Sequence, residues 1–167
     1  DLTTLGKIIG GGLPIGAVGG KAEWMNHLSP VGPVYQAGTL SGNPLCVAAG
    51  LATLRTLREL DPYAELAARV DRLTSQMKAV AEEKGIPVAL PNDGSMFSIF
   101  FRESEPRNFP EVQEADGDRF AKVFHSMLDS GVYLPPSPFE TFFVSICHED
   151  EVLDRTLEAW TKALGSL

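Results

Sequence analysis

Glycine is spread unevenly along the 167 residues, and this limits the fold more than any other feature: residues 1–60 hold eleven of the sixteen glycines and few acidic residues. Each glycine removes a side chain and opens left-handed backbone conformations, so such a stretch favours tight turns and close backbone approaches. Residues 61–167 carry most of the charge and show amphipathic periodicity. The Asp61-Pro62 pair between them reads as a helix stop and a hinge, which predicts two parts, residues 1–60 and 61–167.

Composition then removes several function classes. Hydrophobic residues at 44% and charged residues at 22% predict a packed globular core. A net charge of −8 argues against nucleic acid and against an anionic membrane surface, which both reward clustered Lys and Arg. It leaves room for a local positive pocket around a phosphate. No run of about 18 apolar residues is present, so no bilayer span is expected. Cys46 and Cys147 are 101 positions apart and form neither a metal-ligand pair nor a disulfide framework, which suits a reducing, cytoplasmic setting. His27, His125 and His148 are scattered without an i, i+4 pair, so no metal site is expected. The chain starts at Asp1 without an initiator Met, a basic leader or an apolar run, and reads as a piece of something longer.

Along the chain, Asp1 to Leu5 leads into glycine with no expected strand or helix, Ile15 to Gly20 reads as a short strand, and Lys21 to Leu28 as two helical turns. Asn43-Pro44 opens a helix to about Leu60, rich in Ala and Leu on most faces and so expected to be well buried. Leu66, Val70, Leu73, Met77 and Val80 mark a further helix face. Ile86–Leu90, Met96–Phe101, Val132–Leu134 and Phe142–Cys147 read as strands, with helices bearing Phe120–Leu128 and Val152–Leu164. Trp24 and Trp160 read as packing residues. The sum is a small α+β layer of helices on a sheet.

Two segments carry chemistry. In Gly6-Lys7-Ile8-Ile9-Gly10-Gly11-Gly12, a lysine precedes three glycines that strip side chains from the backbone and permit close approach of a flat ligand. Such a lysine is placed to form an imine if its amine is neutral. The glycines do not form a P-loop, because Lys7 precedes them, nor a dinucleotide fingerprint, because the sixth place from Gly10 is Ile15. The same spacing also describes a connecting loop with a solvated lysine. In Tyr35 to Pro44, Gly38-Thr39 and nearby hydroxyls precede a helix start, which suits a phosphate monoester. The other reading is an N-cap by Ser41 or Asn43 with nothing bound.

Taken together, Lys7-Ile8-Ile9-Gly10-Gly11-Gly12 with Pro14, Gly16 and Ala17 resembles the cofactor-lysine segment of class III aminotransferases, which are fold-type I pyridoxal-phosphate enzymes. Tyr35 to Pro44 is similar to the aminomutase branch of that family, as are Gly94-Ser95-Met96-Phe97 and the run Gly131 to Glu140. The likeness covers essentially the whole chain. It implies an α/β fold, with residues 1–60 as the end of the large cofactor domain and 61–167 as the small C-terminal α+β domain.

The resemblance further implies pyridoxal 5′-phosphate and pyridoxamine 5′-phosphate as cofactor forms. Lys7 would attach the cofactor and shuttle protons, Gly38 and Thr39 would bind phosphate across a homodimer interface, and Glu140 would lie near a small amino-aldehyde substrate. The implied reaction moves an amino group from C2 to C1 of glutamate 1-semialdehyde, giving 5-aminolevulinate for tetrapyrrole synthesis. One departure is Pro138, where the family usually has Gln before Phe-Glu, which should stiffen that loop. The remaining site residues are expected before Asp1, so these 167 residues by themselves are expected to be inactive. Two other readings stay open: a class III aminotransferase with an external amino acceptor, and a non-catalytic dimerisation module.

Overall fold

A computed structural model describes residues 1–167 and divides them into two compact units, Asp1–Asp61 and Pro62–Leu167. In the first unit, β1 (Leu2–Leu5) pairs antiparallel with β2 (Ala17–Gly20), with Leu5 opposite Ala17. This corrects the reading of residues 1–5: they form a strand because Ala17–Gly20 offers a partner edge, while Leu2–Leu5 has no alternation of its own to announce the pairing. A 3-10 turn, Lys7–Gly10, lies in the connection between the two strands. Helix α1 (Ala22–Met25) is one turn, shorter than the two expected, and Trp24 on it is exposed where it was read as packing.

Helix α2 (Pro44–Leu60) begins where Asn43-Pro44 predicts and ends at Asp61, which adopts the left-handed region at φ 41° and donates its N–H to the Leu57 carbonyl. Asp tolerates that conformation better than most residues, and Pro62 then blocks continuation. The expected burial of α2 is not observed. Cys46 and Gly50 are buried, whereas Leu45, Val47, Leu51, Leu54 and Leu60 are exposed. The reason is partners: the Lys7–Gly10 turn covers one stripe of the helix, and no other element of this unit is broad enough to cover the rest.

The second unit has its own core. Helix α3 (Tyr63–Glu83) buries Leu66, Val70, Leu73 and Met77 as the four-and-three spacing predicts, with Ala81 buried and Val80 packed at the margin. Helix α5 (Gly117–Asp129), capped by the Asp116 carboxylate on the Arg119 N–H, buries Phe120, Val123 and Met127, while Leu128 faces out. Helix α6 (Asp150–Leu164) buries Leu153, Trp160 and Leu164, with Val152 exposed. The strands are shorter than expected. β3 (Asn92–Asp93), β4 (Met96–Phe97) and β5 (Phe142–Phe143) form an antiparallel sheet in the order β3-β4-β5, and Ala89 meets Phe100 in a single bridge. Residues 132–134 form no strand, although Leu134 is buried in the core. Here apolar runs fill the core as extended chain without a ladder partner, a distinction that periodicity does not make.

Helix α4 (Phe109–Gln113) was not read from the sequence. It is too short for periodicity but has a capping box. The Asn108 side chain accepts from the Glu111 N–H at 3.0 Å, and Glu111 reaches back to the Arg107 N–H at 2.9 Å and the Asn108 amide at 2.8 Å. The Arg107 N–H bond foremost, then Asn108 and the Arg102 charge, hold the Glu111 carboxyl below its ordinary range. Because the folded-state value is lowered, its contribution is fully present above the unfolded-state value and is lost as pH falls through the folded one. Glu111→Gln should therefore flatten the acid side of the stability profile, read as urea midpoints between about pH 2 and 6.

At the centre of this core Trp160 is fully buried, and its indole Nε1–H donates to the Met77 carbonyl at 2.9 Å, tying α6 to α3. Trp160→Phe keeps an aromatic ring but removes the Nε1–H bond that ties α6 to the Met77 carbonyl and leaves the space of the indole's second ring unfilled. It should destabilise by roughly 1–3 kcal/mol, read by circular dichroism during denaturant unfolding.

Candidate functional site

Lys7 opens the 3-10 turn in the left-handed region at φ 50°, which is strained for a lysine. Its residue is exposed and its amine joins no ion pair of the chain. The turn closes through the Ile9 N–H on the Gly6 carbonyl at 3.4 Å and the Gly11 N–H on the Ile8 carbonyl at 3.1 Å, with Gly11 also left-handed at φ 57°. On one side the turn lies against α2. A Cβ at Gly11 would come 2.6 Å from the Ala49 carbonyl oxygen and 2.5 Å from the Thr53 hydroxyl. Beside the lysine the space is open, since a Cβ at Gly6 or Gly12 would meet nothing within 4 Å. An accessible amine beside side-chain-free backbone suits a flat aldehyde cofactor, so the residues present fit such a group.

The second candidate segment precedes α2. The Ser41 N–H donates to the Gly38 carbonyl at 2.9 Å and the Asn43 N–H to the Leu40 carbonyl at 3.1 Å, two successive turns with Gly42 at φ 67°. The Asn43 side chain then accepts from the Leu45 and Cys46 N–H groups at 3.0 and 3.3 Å. Asn43 is thus the cap, and Ser41 is not. The cap also moves the phosphate reading, because the helix N–H groups at 45 and 46 are already paired. The N–H groups of exposed Gly38 and Thr39 donate to none of the chain's own acceptors and are left open to an anion. Lys7 and the 38–43 turns share α2: the lysine turn lies against its flank, and the 38–43 turns lead into its N-terminus.

Glu140 belongs to the second unit and is exposed. Its loop is pinned by Ser137, whose hydroxyl accepts from the Phe139 N–H and whose carbonyl accepts from the Glu140 N–H, both at 3.2 Å. The Phe139 ring lies 5.9 Å from Phe109. In the same unit a cleft of about 390 Å³ is lined by Leu134, Phe142, Val144 and Leu153, with His148 and Arg155 among its polar groups; no residue of 136–140 lines it. No three His, Cys, Asp or Glu side chains converge to hold a metal ion. The reading from sequence missed Gly50 and Thr53, whose signal was a glycine in mid-helix with a small polar residue three positions later.

Asn43→Ala should lower stability by about 1 kcal/mol, the usual effect of losing such a cap, measured by thermal unfolding.

The family model described as Aminotransferase class-III matches residues 1–164. A glutamate-1-semialdehyde 2,1-aminomutase of Laribacter hongkongensis is 51% identical over all of this chain and 39% of its own length. Across this and two further aminomutases, of Persephonella marina and a Sulfurihydrogenibium species, the chain spans 37–39% of the relative's length. Among solved structures, a β-phenylalanine aminotransferase from Variovorax paradoxus is 31% identical, with a TM-score of 0.88 over 99% of this chain and 38% of that one. The FumI protein of Sphingopyxis sp. MTA144, in its PLP internal aldimine form, is 26% identical, with a TM-score of 0.79 over 99% of this chain and 36% of that one.

Proposed function

We propose that this chain, which belongs to the class III aminotransferase family, carries the lysine-bearing part of an enzyme that converts glutamate 1-semialdehyde to 5-aminolevulinate by moving an amino group from C2 to C1. The observation that supports this most is an exposed, unpaired Lys7 held on a glycine turn, in a chain 51% identical over its whole length to an aminomutase. That identity favours the aminomutase over an aminotransferase with an external acceptor, where the cited likeness is 31%. Residues 1–60 are read as the end of the cofactor-binding domain and 61–167 as the small domain.

The cofactor of this reading is pyridoxal 5′-phosphate and its pyridoxamine form; bound, it supplies an electron sink that accepts and returns amino groups. Lys7 would hold the cofactor at its aldehyde carbon through Nζ, a condensation that releases water, and its four-carbon stem would let the same amine, when free, take and return a proton at the substrate carbon. The Gly38 and Thr39 N–H groups, with the Thr39 hydroxyl, bind phosphate oxygens. By the family likeness they serve the neighbouring subunit of a homodimer, which would make dimerisation a condition of completing the site. Glu140 orients the substrate's amino groups, a role supported by sequence likeness and by a loop fixed through Ser137. No helix is long and apolar enough to cross a membrane. The two free cysteines support a reducing, cytoplasmic setting.

The test uses the full-length protein loaded with pyridoxal phosphate, reduced with borohydride and digested. The lysine adduct should be found on the Lys7 peptide, and turnover of the semialdehyde should proceed without an added keto acid. Lys7→Ala should remove the adduct and lower turnover by about 10²- to 10⁴-fold. An adduct on another lysine contradicts the assignment of Lys7. A strict requirement for a keto acid contradicts the aminomutase, and unchanged turnover in Lys7→Ala contradicts a catalytic role.

A further inference from the structure

Lys7 occupies a conformation that costs a non-glycine residue roughly 1–2 kcal/mol, so something outside the turn must hold it there. The contact that does so is backbone against backbone. A Cβ at Gly50 would stand 2.0 Å from the Ile9 carbonyl oxygen and 3.1 Å from its carbon. A Cβ at Gly11 would collide with the Ala49 carbonyl and the Thr53 hydroxyl from the other side. The stretch Ile9–Gly11 therefore lies directly on α2 between Ala49 and Thr53, with no side chain between the two main chains at positions 11 and 50. Gly50 is the seventh residue of a 17-residue helix, where glycine weakens the helix by about 1 kcal/mol relative to alanine. At that position the helix gives up some of its own stability and gains room for the turn.

We infer that Gly50, with Gly11 and Thr53, positions Lys7: the helix fixes the Ile9 carbonyl, and that fixes the main chain from which the lysine side chain projects two residues earlier. This rests on Lys7 being the cofactor-attaching residue, and extends that reading to residues that touch neither cofactor nor substrate. Any side chain at position 50 must push Ile9 outward from 2.0 Å to about 3.4 Å, a shift of roughly 1.4 Å, to restore ordinary contact, and misplacing a reacting group by about 1 Å can already lower rate about 10²-fold.

The experiment compares full-length wild type, Gly50→Ala and Gly117→Ala, each loaded with pyridoxal phosphate. Position 117 is the control, because a Cβ there meets nothing within 4 Å and its backbone is not left-handed. Gly50→Ala should still bind the cofactor, while the pH midpoint of its visible absorbance moves by at least about 0.5 unit, since that midpoint reports the surroundings of the attached lysine nitrogen. Its kcat should fall about 10- to 100-fold with KM within about threefold. Gly117→Ala should match wild type in all three. Wild-type midpoint and kcat in a folded Gly50→Ala protein overturn the inference. If Gly50→Ala does not fold, Thr53→Ala, which removes a contact and adds no atom, should show a smaller midpoint shift, and wild-type values there overturn it equally. Failure to trap Lys7 in the wild type would instead overturn the underlying functional reading, so the two failures are distinguishable.

Discussion

The close seating of the Ile9–Gly11 main chain on helix α2 is the constraint from which the rest of the first unit follows. Two peptide chains reach that separation only where neither carries a side chain into the contact, which Gly11 and Gly50 provide. In the seated turn Lys7 is left-handed and exposed. The same helix is anchored at its start by Asn43 and stopped at its end by Asp61-Pro62. A single helix thus orders the lysine turn along its flank and follows directly from the glycine-rich turns that carry Gly38 and Thr39.

The second unit solves a different problem. Its core is built from side chains, with α3, α5 and α6 burying apolar stripes against extended segments that form few ladder bonds. The indole of Trp160 gives that core a directional bond, since its donor finds a carbonyl on α3. Charged pairs lie toward the surface, including Arg72 with Asp150 at 2.7 Å, where solvent makes each contribute little. The Glu140 loop inherits its rigidity from this unit through Ser137 and the Phe139–Phe109 contact.

Much of this was legible in the sequence, and the parts that were not share a cause. The helix faces of α3, α5 and α6 were readable because their partners lie on the same side every three or four residues. The Asn43-Pro44 start was readable because a cap is a local event. β1 was not, because its pairing partner lies about fifteen residues away and Leu2–Leu5 shows no alternation. Long strands were expected around Ile86, Met96 and Phe142 because apolar runs look alike whether or not they pair. Trp24 and the apolar faces of α2 were expected inside, but composition counts the apolar surface and not the elements available to cover it. At the candidate site, Lys7, Gly38 and Thr39 were visible as a pattern of residue types. The role of Gly50 was not, since a helix glycine acquires meaning only from what packs on it.

Whether the helix holds the lysine turn is tested most directly by amide hydrogen exchange of the full-length protein. The Gly11 and Leu13 amides, which donate to the Ile8 and Gly10 carbonyls at 3.1 and 3.0 Å, should exchange at least about 10²-fold more slowly than an unstructured peptide. Exchange of both amides at unstructured-peptide rates, while α2 remains protected, would show that the helix does not hold the turn.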